Sequence, residues 1–238
     1  MTDKRLIVAL DYPSLEEAKK TVALLGDHVD YYKVGMELYY SAGTLIIDYL
    51  REKNKQIFLD LKLHDIPNTV ARSAAALTKL GVSMLNVHAS GGPAMMRAAA
   101  EAVAEEAEKR GITKPRIIAV TILTSINPAE WIALRQHSDI QDQAQYLAEL
   151  AQRCRLDGVV ASAQEAQRIR EVCGPAFEIV TPGIRPTGTA SNDQSRITTP
   201  KAALLAGASH IVVGRPITAA ADPVLSAGQI IKEMRNAQ

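Results

Sequence analysis

Short runs rich in valine and isoleucine recur along the chain, and each is followed by a polar turn, an amphipathic stretch and a glycine. The runs predict strands at residues 5 to 10, 31 to 36, 57 to 62, 84 to 88, 116 to 122, 158 to 161, 178 to 181 and 210 to 213. Leu6-Ile7-Val8-Ala9-Leu10 and His210-Ile211-Val212-Val213 are nearly continuous apolar runs, the pattern of parallel strands covered on both faces. Between the runs lie helix starts. Ser14 with Glu17 and Ser162 with Glu165 predict capping boxes, and Pro93, Pro200 and Pro223 stand where first-turn prolines belong. Gly26, Gly81, Gly111, Gly174 and Gly207 follow helical stretches and predict their C-terminal caps.

Eight strand-then-helix units predict one domain over residues 1 to 238, folded as an α/β TIM barrel, (β/α)8. An open doubly wound sheet is disfavoured, because no glycine-rich dinucleotide fingerprint follows the first strand. No linker or charge block divides the chain. The segment from Arg185 to Thr199, rich in Thr, Ser, Asn and Gly, is expected to form a mobile loop over the active site.

Composition narrows the partners. The chain has 238 residues, 47% of them hydrophobic, enough for one large core. Its net charge of +1 makes no electrostatic case for nucleic acid or an anionic membrane, so any anion must be gripped locally. No stretch of 18 uncharged apolar residues and no secretory pattern occurs, which predicts a soluble cytoplasmic protein. Cys154 and Cys173 have neither metal-ligand nor disulfide-framework spacing and are expected to be packing residues. His28, His64, His88, His137 and His210 fall in different units, so no metal is expected.

In such a barrel the chemistry belongs at the C-terminal ends of the strands. Asp11, Lys33, Asp60, Lys62, His88, Thr124, Arg185 and Arg215 all fall there. The densest signal is the run from Asp60 to Thr69, Asp-Leu-Lys-Leu-His-Asp-Ile-Pro-Asn-Thr. Asp60 and Lys62 are two apart and share a face, with Leu59, Leu61 and Leu63 on the other. Opposite charges turned into a barrel must be paired, and Lys33 on the neighbouring strand gives Asp60 a second cationic neighbour. A buried ion pair that only fixes register would give the same pattern. The second signal is an anion site: Gly214-Arg215 after the last strand and Pro182-Gly183-Ile184-Arg185 after the seventh combine loop amides with planar guanidinium forks. Tight turns with solvated arginines would account for the same residues.

These residues carry a resemblance that spans all eight units. The run from Asp60 to Thr69 resembles that of bacterial orotidine 5'-phosphate decarboxylases. It is supported by Ala9-Leu10-Asp11, Lys33-Val34-Gly35, Leu123-Thr124-Ser125, Pro182 to Pro186, Asp193-Gln194 and Val213 to Pro216. The D-x-K-x-x-D spacing is shared with phosphosugar decarboxylases and synthases, while the His-Asp-Ile-Pro-Asn-Thr continuation and Gln194 favour the nucleotide enzyme. Ser191-Asn192 departs from the glycine and acid more often found there. The resemblance implies decarboxylation of orotidine 5'-monophosphate to uridine 5'-monophosphate, with no cofactor and no metal, by a homodimer with shared sites. It implies that Lys62 protonates C6, with Asp60 and Lys33 beside it and Asp65 reaching into the other subunit's site. Asp11, Lys33 and Thr69 would contact the ribose and Thr124 the pyrimidine. Gln194, Arg185, Gly214 and Arg215 would hold the phosphate side, and Ile66, like Asp65, would contact substrate.

Overall fold

The computed structural model describes residues 2 to 186 and 198 to 237. Eight strands occur in chain order: β1 (Leu6–Ala9), β2 (Tyr31–Gly35), β3 (Gln56–Leu63), β4 (Met84–His88), β5 (Arg116–Val120), β6 (Gly158–Val160), β7 (Glu178–Thr181) and β8 (His210–Val213). They pair in that order, all parallel, and close into a barrel through Leu6 opposite Ile211 and Val8 opposite Val213. Each expected strand is present: four are a residue or two shorter, three have the expected bounds, and β3 is one residue longer at each end. Eleven α-helices are described around them. Helices α1 (Leu15–Leu25), α2 (Met36–Ala42), α3 (Leu45–Glu52) and α4 (Pro67–Thr78) lie in the first half. Then come α5 (Gly92–Arg110), α6 (Pro128–Ala133), α7 (Ile140–Arg153), α8 (Ala163–Cys173), α9 (Pro200–Leu205), α10 (Arg215–Thr218) and α11 (Pro223–Arg235).

Alternation along each strand sorts the core into two layers. Ile7, Ala9, Tyr31, Phe58, Met84, Ile118, Val180 and Val212 point inward and fill the barrel. Their strand neighbours Leu6, Val8, Tyr32, Leu59, Leu85, Ile117, Ile211 and Val213 point outward beneath the helices. Helix α7 shows how the outer layer closes: Ala144, Leu147, Ala148 and Ala151 recur with helical spacing and are all buried. Asp139 starts that helix by accepting from the Gln141 backbone N–H.

The expected caps are present with one refinement. Ser162 and Glu165 form the reciprocal capping box, whereas the Ser14 hydroxyl accepts from the Glu17 N–H and donates to the Glu17 carboxylate. Pro93, Pro200 and Pro223 occupy first-turn positions, and the five expected glycines all have positive φ. Gly111 shows why: it ends α5 in the left-handed conformation at φ 64°, where a Cβ is disfavoured. Cys154 and Cys173 are buried free thiols. Among the described residues no helix is long and apolar enough to cross a membrane.

Candidate active site

The inward set continues past the strand ends, and its continuation makes the site. On β1 the odd residues face inward, so Asp11 follows Ala9 into the mouth, and Lys33 likewise follows Tyr31 on β2. On β3 Asp60 and Lys62 follow Phe58, and on β8 Gly214 follows Val212. These residues, with Val120, Ile122, Leu123, Thr124, Val160, Pro182, Gly183, Arg185, Arg215 and Thr218, enclose a cavity of about 410 Å³. Its volume and its mixture of an apolar floor with few converging polar groups suit a small organic ligand.

One wall of the cavity is a row of alternating charges. Lys33 Nζ lies 2.8 Å from Asp11 Oδ1 and 3.4 Å from Asp60 Oδ2, and Lys62 Nζ lies 2.8 Å from Asp60 Oδ1. Burial alone disfavours both charged forms at Lys33 and Asp60. At Lys33 the carboxylates of Asp60 and Asp11 outweigh that burial and raise its pKa above the ordinary ammonium value. At Asp60 the two ammonium groups and a hydrogen bond from Asn86 outweigh it and lower its pKa below the ordinary carboxylate value. Lys33 and Asp60 therefore keep their charges around neutral pH. Gly35 leaves room for it, since a Cβ there would sit 2.9 Å from Lys33 Nζ and 3.3 Å from Asp11 Oδ1.

Sequence reasoning passed over Asn86. It is buried on β4, donates from Nδ2 to Asp60 Oδ1 at 2.7 Å, and accepts the Lys62 backbone N–H on Oδ1 at 2.8 Å. A polar amide within the apolar run Met84-Leu85-Asn86-Val87 was the available signal, because a buried amide needs partners. Lys62 itself has φ 52°, a left-handed conformation uncommon for a side chain of its size.

Across the cavity Arg185 and Arg215 supply the opposite kind of surface. Arg185 is buried and its pKa is lowered by that burial and by the nearby Arg215 guanidinium. Its Nε has no hydrogen-bond partner among the described residues, while one terminal nitrogen donates to the Ile184 carbonyl at 2.9 Å. Two cations brought together, one with a buried donor that no described residue engages, suit a bound anion. Gln194, Asp193 and most of the expected loop lie outside the described residues.

Ile66 and Thr69, expected as substrate contacts, do not line this cavity within one chain, and neither does Asp65, which is expected to reach the other subunit's site. Asp65, Ile66 and Thr69 are exposed around the start of α4, where Asp65 Oδ1 accepts the Ile66 N–H at 2.7 Å. His88, at the end of β4, lies beside His64 with ring centroids 5.3 Å apart and is not among the residues that line the cavity. Burial and the neighbouring His64 and Lys62 lower its pKa. Among the described residues no three His, Cys, Asp or Glu side chains gather as a metal cluster would.

Comparison with known proteins adds independent information. The model of the "Orotidine 5'-phosphate decarboxylase / HUMPS family" matches residues 4–230. An orotidine 5'-phosphate decarboxylase of Moorella thermoacetica is 49% identical over 231 residues, covering 97% of this chain and 92% of the relative. One from Syntrophomonas wolfei is 47% identical, covering 97% of this chain and 98% of the relative. The crystal structure of orotidine 5'-phosphate decarboxylase from Lactobacillus acidophilus superposes with a TM-score of 0.86 at 41% identity, covering 98% of this chain and 99% of that one.

Proposed function

The chain belongs to the orotidine 5'-phosphate decarboxylase / HUMPS family, and on that premise we propose that it converts orotidine 5'-monophosphate to uridine 5'-monophosphate and CO2, with Lys62 protonating C6. It is an enzyme of the carboxy-lyase class, and the reaction is the last step of de novo pyrimidine nucleotide synthesis in the cytoplasm. The observation that carries the reading is the Asp11, Lys33, Asp60, Lys62 row facing two arginines across one cavity.

The chemistry asks for that arrangement. When the bond from C6 to the carboxylate breaks, its electron pair stays on C6 and CO2 leaves. The pyrimidine ring delocalises that pair poorly, so an ammonium fixed beside C6 stabilises the charge as it develops. The Lys62 ammonium then gives one proton to C6 and regains one from solvent as the neutral amine. Asp60 holds the ammonium in place and, beside the departing carboxylate, disfavours the ground state. Arg185 and Arg215, with the Gly214 amide and Gln194, hold the phosphate remote from C6, so that binding there helps to align the reacting end.

Asp65, Ile66 and Thr69, exposed in a single chain, complete the site of a second subunit in a homodimer. No cofactor is required, because the ammonium takes the part of an electron sink. The test is the absorbance change on loss of orotidine 5'-monophosphate, with and without a strong chelator. The proposal expects equal rates in both. No loss of orotidine 5'-monophosphate would overturn the substrate assignment, and a rate abolished by chelator and restored by a divalent metal would overturn the metal-free mechanism.

A further inference from the structure

Strands β3 and β4 fall out of step at the site. Leu59 stands opposite Leu85 and Leu63 opposite Val87, so four residue steps on β3 face two on β4. The three residues Asp60 to Lys62 thus stand against the single residue Asn86, and a bulge of this kind removes ladder partners from the backbone groups inside it. The lost partner is replaced by a side chain: the Lys62 N–H, at φ 52°, donates to Asn86 Oδ1 at 2.8 Å. The other end of the same amide donates to Asp60 Oδ1 at 2.7 Å. Its orientation has no freedom, because a backbone N–H needs the oxygen and a carboxylate needs the NH2.

We propose that Asn86 is a positioning residue that holds the Lys62 backbone in its left-handed turn and the Asp60 carboxylate under the Lys62 ammonium. This inference rests on Lys62 being the proton donor. A left-handed conformation at a residue other than glycine is strained and persists where surrounding contacts enforce it. Asn86 is 1% exposed and shares its strand face with Met84, which is fixed in the barrel core, so it offers a rigid clamp. Without it β3 is free to relax toward regular pleating, which turns the Lys62 side chain and separates it from Asp60. Only the amide meets both needs: aspartate lacks the donor, and leucine lacks donor and acceptor.

The experiment compares wild type, Lys62→Ala, Asn86→Ala and Asn86→Asp by thermal melting, uridine 5'-monophosphate affinity, kcat, KM and the pH dependence of kcat. Folded Asn86→Ala is expected to bind the product within about threefold of wild type and to lose about a hundredfold in kcat, the cost of misplacing one catalytic group by about an ångström. Asn86→Asp keeps the acceptor for Lys62 but sets a second carboxylate against Asp60, among Lys33, Lys62 and His88. Its kcat is expected to fall away at higher pH than that of wild type on the acid side, and this arm decides the matter if the alanine variant does not fold. Wild-type kcat in folded Asn86→Ala, a loss of product affinity equal to the loss of kcat, or an unmoved acid limb in Asn86→Asp would overturn the inference. Silent Asn86 variants beside an inactive Lys62→Ala would overturn it alone, whereas an active Lys62→Ala would overturn the underlying reading as well.

Discussion

Each charge at the barrel mouth is tolerable because of the next one. Asp60 is 8% exposed, a position that a lone carboxylate occupies only by taking up a proton, yet two ammonium groups and an amide keep it ionised. His210 shows the opposite outcome at the far end of the barrel. Burial, with the Arg116 guanidinium as a smaller cause, pushes its pKa down from 6.5 to about 4. The Glu178 carboxylate lies 3.1 Å from Nδ1, but it already pairs with Arg116 and does little to attract a proton to the ring. The unfolded chain therefore binds a proton to this histidine at a higher pH than the folded one. Stability from this group is complete above pH 6.5, declines as pH falls from 6.5 toward 4, and levels off below that. The full span amounts to about 3 kcal/mol. Urea titrations at pH 7 and pH 4.5 should show a smaller acid loss in His210→Asn than in wild type, with turnover at pH 7 unchanged. An identical loss in both proteins would mean that His210 is not the group responsible.

At the scale of elements, parallel strands covered on both faces are largely apolar, and for that reason all eight were legible as short apolar runs, several of them nearly continuous. The shared face of Asp60 and Lys62 was legible too, because strand alternation is local. The bulge between β3 and β4 was not, since register depends on which residues of another strand stand opposite. Asn86 went unread for the same reason: its two partners are 24 and 26 residues away in the chain. Elsewhere the sheet is packed without slack. A Cβ on Gly158 of β6 would sit only 2.2 Å from the Glu178 carbonyl oxygen on β7. Backbone cannot yield there as a flexible side chain would, so Gly158→Ala should lower stability by about 1–3 kcal/mol. Its denaturation midpoint checks this, and a midpoint equal to that of wild type would show that β6 and β7 can separate.

For the whole molecule, the single chain holds the row from Asp11 to Lys62 and both arginines but leaves Asp65, Ile66 and Thr69 outside the cavity. The resemblance implied as much for Asp65, whereas the places of Ile66 and Thr69 outside the single-chain cavity became visible only in the structure. If two chains share their sites, Lys62→Ala and Asp65→Ala complement one another. In a mixed dimer one site carries both lesions and the other neither. Random assortment of equal amounts makes half the dimers mixed, so about one quarter of wild-type activity should return. Activity of the mixture no higher than that of either variant alone, with subunit exchange demonstrated by mass, would place Asp65 outside the partner's site.

The central claim is that the Lys62 ammonium meets the carbon where negative charge appears. Its most direct test is kcat for orotidine 5'-monophosphate in folded Lys62→Ala, measured beside its affinity for uridine 5'-monophosphate. Loss of both the proton donor and the countercharge predicts a fall in kcat of at least about 10⁴-fold, with product affinity within about tenfold of wild type. A kcat within tenfold of wild type would contradict the account.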